Sequence, residues 1–212
     1  MPADLHDPAV RRRLYITLAN KRAHPGSGSG PEILWARTWR RPVFDLKELV
    51  TVPFVVVGGV ATRLYAPERM TDDLDVLIEK DMAEQFYEEL NVAGCLSLGR
   101  LAVGGSSWRL PDGTPLDVLE GDEEWTVEAV EHPIIGPNGF SIIAMPYLIL
   151  MKMRASRGID IGDLTRILGA ANEIDLTKTR QVINKYLADA DEDLESLIQL
   201  GRLEYQGTEV PE

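Results

Sequence analysis

The stretch "FVVVGGVATRLYAPERMTDDLDVLIEK", Phe54 to Lys80, constrains the fold more than any other part of the chain. The apolar run Phe54 to Val57 stops at Gly58-Gly59. Its β-branched residues favour a strand, and the small and apolar residues after the glycines start a helix. "DLDVLIE" then reads as a second strand. Alternate residues of a strand share a face, so Leu74, Val76 and Ile78 face the core while Asp73 and Asp75 lie side by side on the other face. Two carboxylates that close repel, and burying them without a partner is costly. The pattern therefore asks for positive charge, and hard oxygen ligands suit Mg²⁺ or Mn²⁺. Asp72 points away from the pair and reads as a turn or capping residue.

The glycines supply a second requirement. A strand that ends in Gly58-Gly59 and opens into a helix lets the backbone approach a bulky anion closely. The helix N-terminus adds free N–H groups and the positive end of a dipole. A phosphate pocket beside paired carboxylates suits metal-assisted phosphoryl or nucleotidyl transfer. The bland alternative is a plain strand-to-helix turn beside solvated acids. Thr71 divides evenly between a phosphate contact and a bond to its own backbone, and Arg63 favours solvent. Arg69 is close enough in sequence to pair with the acids or with a nucleotide.

The rest of the chain sets this unit in context. "DPAVRRRLYITLANKRA" predicts a helix, capped by Asp7, opened by Pro8, with Val10, Leu14 and Leu18 on one face. "HPGSGSGP" reads as a linker, and "FDLKELV" as a short helix leading into "PFVVV". "DMAEQFYEELN" is a helix capped by Asp81 and closed near Gly94. "CLSLGRLAV", "SSWRL", "TPLDVLE" and "FSIIA" read as short strands, and from Pro146 the pattern is helical. The fold class is thus α/β (α+β): a mixed sheet with flanking helices and a C-terminal helical segment. The expected division is an N-terminal helical arm with its linker over 1–50, a core over 51–145 and a helical segment over 146–212.

Composition narrows the setting. The chain has 212 residues, enough for one large domain or a domain with a helical appendage. No apolar run approaches the roughly 18 residues of a membrane span, and the start of the chain lacks a signal-peptide pattern. A single cysteine, Cys95, rules out an internal disulfide framework, and the expected location is cytoplasmic. The net charge of −12 opposes loose binding to polyanions, yet the first 41 residues carry Arg11, Arg12, Arg13, Lys21, Arg22, Arg37, Arg40 and Arg41 against Asp4, Asp7 and Glu32. Either that arm meets phosphate locally, or it pairs with the acidic tail "LADADEDLESL", and the pairing reading is preferred. His6, His24 and His132 are scattered without metal-ligand spacing, and the four tryptophans read as core or interface.

Gly58-Gly59, a helix, and then Arg69-Met70-Thr71-Asp72-Asp73-Leu74-Asp75-Val76 resembles the first motif of the polymerase-β-like nucleotidyltransferase superfamily. The arginine-x-threonine-x-aspartate-x-aspartate form looks like its AbiEii/MenT-type branch, which includes toxin nucleotidyltransferases. The resemblance covers roughly Val52 to Leu168 and implies a third carboxylate on a later strand. Asp117 in "TPLDVLE" fits that place, with Asp112, Glu120 and Asp122 as neighbouring competitors. It also implies a later helix carrying a lysine, then an arginine and spaced aspartates, matched here by Lys152, Arg157, Asp160 and Asp163. Where the branch often has a lysine before the aspartate matching Asp160, this chain has Ile159. An ion pair from Lys152 to Asp160 or Asp163 competes closely with a phosphate role for the lysine.

What the resemblance implies is transfer of a nucleoside monophosphate from an NTP such as ATP to a hydroxyl. Asp73, Asp75 and Asp117 would be both the catalytic acids and the ligands of Mg²⁺ or Mn²⁺. Gly58, Gly59, Arg69, Thr71 and Lys152 would contact the nucleotide. The implied acceptor is a tRNA end, a protein hydroxyl or a small molecule, and a toxin-like member would have a cognate antitoxin protein. The alternative is an inactive module that keeps the fold and binds nucleotide or a partner.

Overall fold

The computed structural model describes residues 4–27, 46–66, 71, 73–136 and 139–206. Arg69, Asp72, Trp35, Trp39 and the second half of the predicted linker lie outside the described residues. The chain divides into two compact units: Met1–Thr38, Tyr65–Glu68 and Met145–Glu212 form one, and Trp39–Leu64 with Arg69–Ala144 form the other.

The second unit holds a seven-stranded mixed sheet in the order β3-β4-β5-β2-β1-β7-β6. Its strands are β1 (Val55–Val56), β2 (Leu74–Glu79), β3 (Leu96–Arg100), β4 (Ser106–Arg109), β5 (Pro115–Gly121), β6 (Ile134–Ile135) and β7 (Ser141–Ile142). β2 runs antiparallel to β1 and parallel to β5, and β5 runs antiparallel to β4. Val55, Val57, Val76, Ile78, Leu116 and Val118 are fully buried, which is why these short runs hold as strands.

The helices of this unit are α2 (Gly58–Tyr65, whose last residue is grouped with the other unit), α3 (Ala83–Val92) and α4 (Glu124–Glu131). Phe86 of α3 meets Phe54 edge-on at 6.2 Å, and Tyr87 stacks on Trp108 of β4 at 5.5 Å. The predicted Asp81 cap is not formed: a 3₁₀ turn, Lys80–Met82, leads into α3, and Met82 at its N-cap makes no side-chain bond. Gly94, at φ +81°, follows the end of α3 as expected. α4 packs on β2 through "EWTVEAVE", a segment the sequence reading left unassigned.

The first unit is helical: α1 (Pro8–Asn20), α5 (Met145–Ala155), α6 (Gly158–Ala170), α7 (Glu173–Tyr186) and α8 (Asp191–Tyr205). Asp7 caps α1 as predicted, its side chain accepting from the Ala9 N–H. The buried face is not the predicted one. Leu14 and Leu18 are exposed, while Arg12 and Ile16 are buried. Arg12 reaches inward to Asp193 at 2.6 Å and to the Met153 carbonyl at 3.1 Å. α6 and α8 cross closely at Gly169 and Gly201, where a Cβ on Gly201 would lie 2.1 Å from the Thr165 carbonyl oxygen. No described helix is long and apolar enough to cross a membrane.

Candidate functional site

The register of the sheet brings two of the predicted acids together. In the parallel β2–β5 pair Leu74 sits opposite Leu116, Asp75 opposite Asp117 and Val76 opposite Val118. Paired strands lie about 4.8 Å apart, so the two aspartates are lateral neighbours on one face while the apolar residues fill the other. The antiparallel β4–β5 pair extends that row, with Ser107 opposite Asp117. Asp73 precedes β2 on a bend, two residues before Asp75 in the chain.

Each carboxylate accepts a hydrogen bond from a different neighbour. The Thr71 hydroxyl donates to Asp73 Oδ1. The Gly59 N–H, at the start of α2, donates to Asp75 Oδ2 across 3.4 Å. The Ser107 hydroxyl donates to Asp117 Oδ1 at 2.5 Å. Thr71 thus bonds to an acid, a third possibility beside the two the sequence offered.

The double glycine has a steric reason visible in the fold. Gly58 adopts φ +58°, and a Cβ there would stand 1.8 Å from Asp75 Oδ2. A Cβ on Gly59 would stand 2.6 Å from the Thr71 Cβ. Any side chain at these positions would push against the residues that carry the site.

The competitors of Asp117 have other engagements. Asp112 accepts from the N–H and hydroxyl of Thr114 in the β4–β5 turn. Asp122 pairs with Lys80 at 2.7 Å, a contact that lowers its pKa. Glu120 points to the opposite face of β5, where it accepts from Tyr87 and Arg100. Burial opposes the charge on Glu120, but those two donors keep its pKa below the ordinary value. The Tyr87 hydroxyl is pushed up to about 12 by burial and then by its bond to Glu120.

Lys152, in the helical unit, is 7% exposed and donates to Asp163 at 2.7 Å, with Asp160 at 3.6 Å. Asp160 is buried at the start of α6 and accepts from the Arg157 backbone and guanidinium. The ion-pair reading of Lys152 describes this arrangement.

Two residues on the acid-bearing face escaped the sequence reading. Ser107 and Arg109 alternate with the buried Trp108 in "SSWR", so both share the face of Asp117. Arg109 is exposed and makes no ion pair with another described residue. The alternation was readable in the sequence; the register that sets β4 beside the acids was not.

Asp73, Asp75 and Asp117 offer oxygen donors alone, a set whose chemistry fits a hard divalent cation. Among the described residues, however, no group of three His, Cys, Asp or Glu side chains is drawn tightly enough to hold a metal ion. Asp75 and Asp117 are in register, and Asp73 stands before the strand with Thr71 on its carboxylate.

No protein-family model matches the chain, and no curated protein does. Among solved structures, the solution structure of the antibiotic-resistance factor ANT(2'')-Ia is similar at a TM-score of 0.42 and 16% identity, over 92% of this chain and 94% of that one. ANT(2'')-Ia in complex with adenylyl-2''-tobramycin is similar at 0.37 and 17%, over 73% and 89%. The Megavirus polyadenylate synthase is similar at 0.28 and 14%, over 85% and 35%.

Proposed function

We propose that the protein is a nucleotidyltransferase that moves a nucleoside monophosphate from an NTP to a hydroxyl and releases pyrophosphate. The observation that carries this is the lateral pair Asp75 and Asp117, set beside the glycine-opened N-terminus of α2. Asp75 and Asp117, joined by Asp73, would hold Mg²⁺ or Mn²⁺. Such ions, when bound, offset triphosphate charge and stabilise the attacking and leaving oxygens. Gly58 and Gly59 would let the backbone approach the triphosphate closely, with Thr71 beside them; the Gly59 N–H would donate there only by exchanging Asp75 Oδ2 for a phosphate oxygen. Arg69 and Lys152 are further candidates for nucleotide contact, Lys152 only by leaving its carboxylate partners. Arg109 is an exposed cation on the acid-bearing face and suits an anionic group of either substrate. Asp117 would take the proton of the acceptor hydroxyl.

The acceptor classes are a tRNA end, a protein hydroxyl and a small molecule, the first two with toxin-like action and an antitoxin protein as partner. Incubation of the full chain with α-labelled NTPs, Mg²⁺, total RNA and total protein tests this directly. Label appearing in one pool, and lost in Asp73→Ala/Asp75→Ala, is the expected result. A second reading is a nucleotide-binding module without catalysis; among the described residues no three acids, histidines or cysteines are grouped for a metal ion. It expects Mg²⁺-dependent NTP binding without label in RNA, protein or small molecules. Absence of both binding and transfer removes both readings.

A further inference from the structure

The row across the sheet continues past the acids. Asp75, Asp117 and Ser107 occupy one line over β2, β5 and β4, and the Ser107 hydroxyl donates to one oxygen of Asp117 at 2.5 Å. We propose that Ser107 is the positioning residue of the site: it fixes the Asp117 carboxylate against the repulsion of Asp75. This rests on the nucleotidyltransferase reading above and deepens it.

The physical case is one of orientation. The terminal torsion of an aspartate is broad and roughly two-fold, so its carboxylate turns readily unless something holds it. Two carboxylates on adjacent strands repel, and each lowers the strain by turning away from the other. Asp75 is held by the Gly59 N–H on its side of the row. Among the described residues Asp117 accepts from no main-chain donor, and its donor is the Ser107 hydroxyl. With Oδ1 engaged by Ser107, Oδ2 is left for a cation or for the proton of an acceptor hydroxyl. Outer hydrogen-bond partners of ligating carboxylates fix their orientation, and their loss typically costs roughly 10–100-fold in metal affinity or activity. Ser107 is half-buried and its neighbours Ser106 and Trp108 are buried, so the strand that carries it is anchored.

The test uses the full chain as wild type, Ser107→Ala, Ser107→Thr, Asp117→Asn and Ser107→Ala/Asp117→Asn. Mn²⁺ binding without nucleotide is read by electron paramagnetic resonance, NMP transfer by label, and folding by thermal melting. Ser107→Ala should bind Mn²⁺ and transfer label roughly 10–100-fold less well, with the NTP KM little changed. Ser107→Thr keeps the hydroxyl and should recover most of both. The double variant should be no worse than Asp117→Asn alone, because Ser107 acts through that carboxylate. If Asp117→Asn is impaired while Ser107→Ala matches wild type, the positioning role is overturned and the enzyme reading stands. If Asp117→Asn itself matches wild type in both assays, the acid-site reading has failed and the role of Ser107 falls with it. A fall in Ser107→Thr equal to that in Ser107→Ala also overturns the proposal, since packing rather than the hydroxyl would then matter.

Discussion

At the scale of the residue, the strongest constraint is the distance between a glycine and an acid. Gly58 combines φ +58° with a Cβ position 1.8 Å from Asp75 Oδ2. Gly58→Ala therefore carries two penalties, a left-handed backbone cost of about 1–2 kcal/mol and a displaced carboxylate. The expected outcome is a protein that still folds, melts several degrees lower, and loses Mg²⁺-dependent NTP binding. Calorimetric titration beside a melting curve checks this. Unchanged binding would mean that Asp75 has no part in holding the metal–nucleotide complex. Asp117→Asn makes the complementary case. It should keep most NTP binding but lose transfer by orders of magnitude, because the loss falls on the transition state. Asp112→Asn, whose carboxylate bonds Thr114 in the β4–β5 turn, is the control and should transfer at the wild-type rate.

At the scale of the element, Glu89 ties α3 to the segment that enters β1. Its carboxylate accepts from the Thr51 hydroxyl and N–H, both at 2.6 Å, from Gln85 at 2.9 Å and from the Val52 N–H at 3.3 Å. Those bonds, the Thr51 hydroxyl first, lower its pKa to about 2 from 4.5. The folded state thus binds this proton less readily than the unfolded chain. The resulting stability is present above about pH 4.5 and is lost as the pH falls towards 2. Glu89→Gln should flatten the fall in melting temperature across that window relative to wild type. Parallel curves for the two proteins would show that the cluster contributes nothing. Most elements of this unit were legible because their patterns are strong: glycines close β1, and "DLDVLIE" and "PLDVLE" alternate around their acids. α4 was missed although Trp125, Ala129 and Val130 are buried at helical spacing, since its acids mask a short apolar face. The register of β2 on β5, which makes the acids neighbours, is a long-range property with no local sequence signal.

At the scale of the whole molecule, the two ends of the chain meet in one unit. α1 packs on α5, α6 and α8, and Arg12 joins Asp193, 181 positions further along the chain. The preference for pairing over phosphate contact in the basic arm is met, in a stronger form than a solvated face. Arg12 is 1% exposed, and Arg11 donates to the carbonyls of Ala155 and Ser156. Of the three consecutive arginines only Arg13 remains exposed. Sequence periodicity chose Leu14 and Leu18 for the buried face because it counts apolar residues. It has no means of crediting an arginine whose partner is an acidic residue near the far end of the chain. The energetic consequence is specific. Arg12→Ala would leave the Asp193 carboxylate, 8% exposed, without its closest partner, with Arg13 at 3.8 Å the nearest remaining cation. Breaking a buried pair from one side costs about 3–5 kcal/mol, whereas replacing both partners with apolar residues of similar size is often neutral or better. Urea unfolding should therefore show Arg12→Ala strongly destabilised and Arg12→Met/Asp193→Leu close to wild type. A loss of under about 0.5 kcal/mol in Arg12→Ala would place it with ordinary surface substitutions and remove the pair as the clasp between the chain ends.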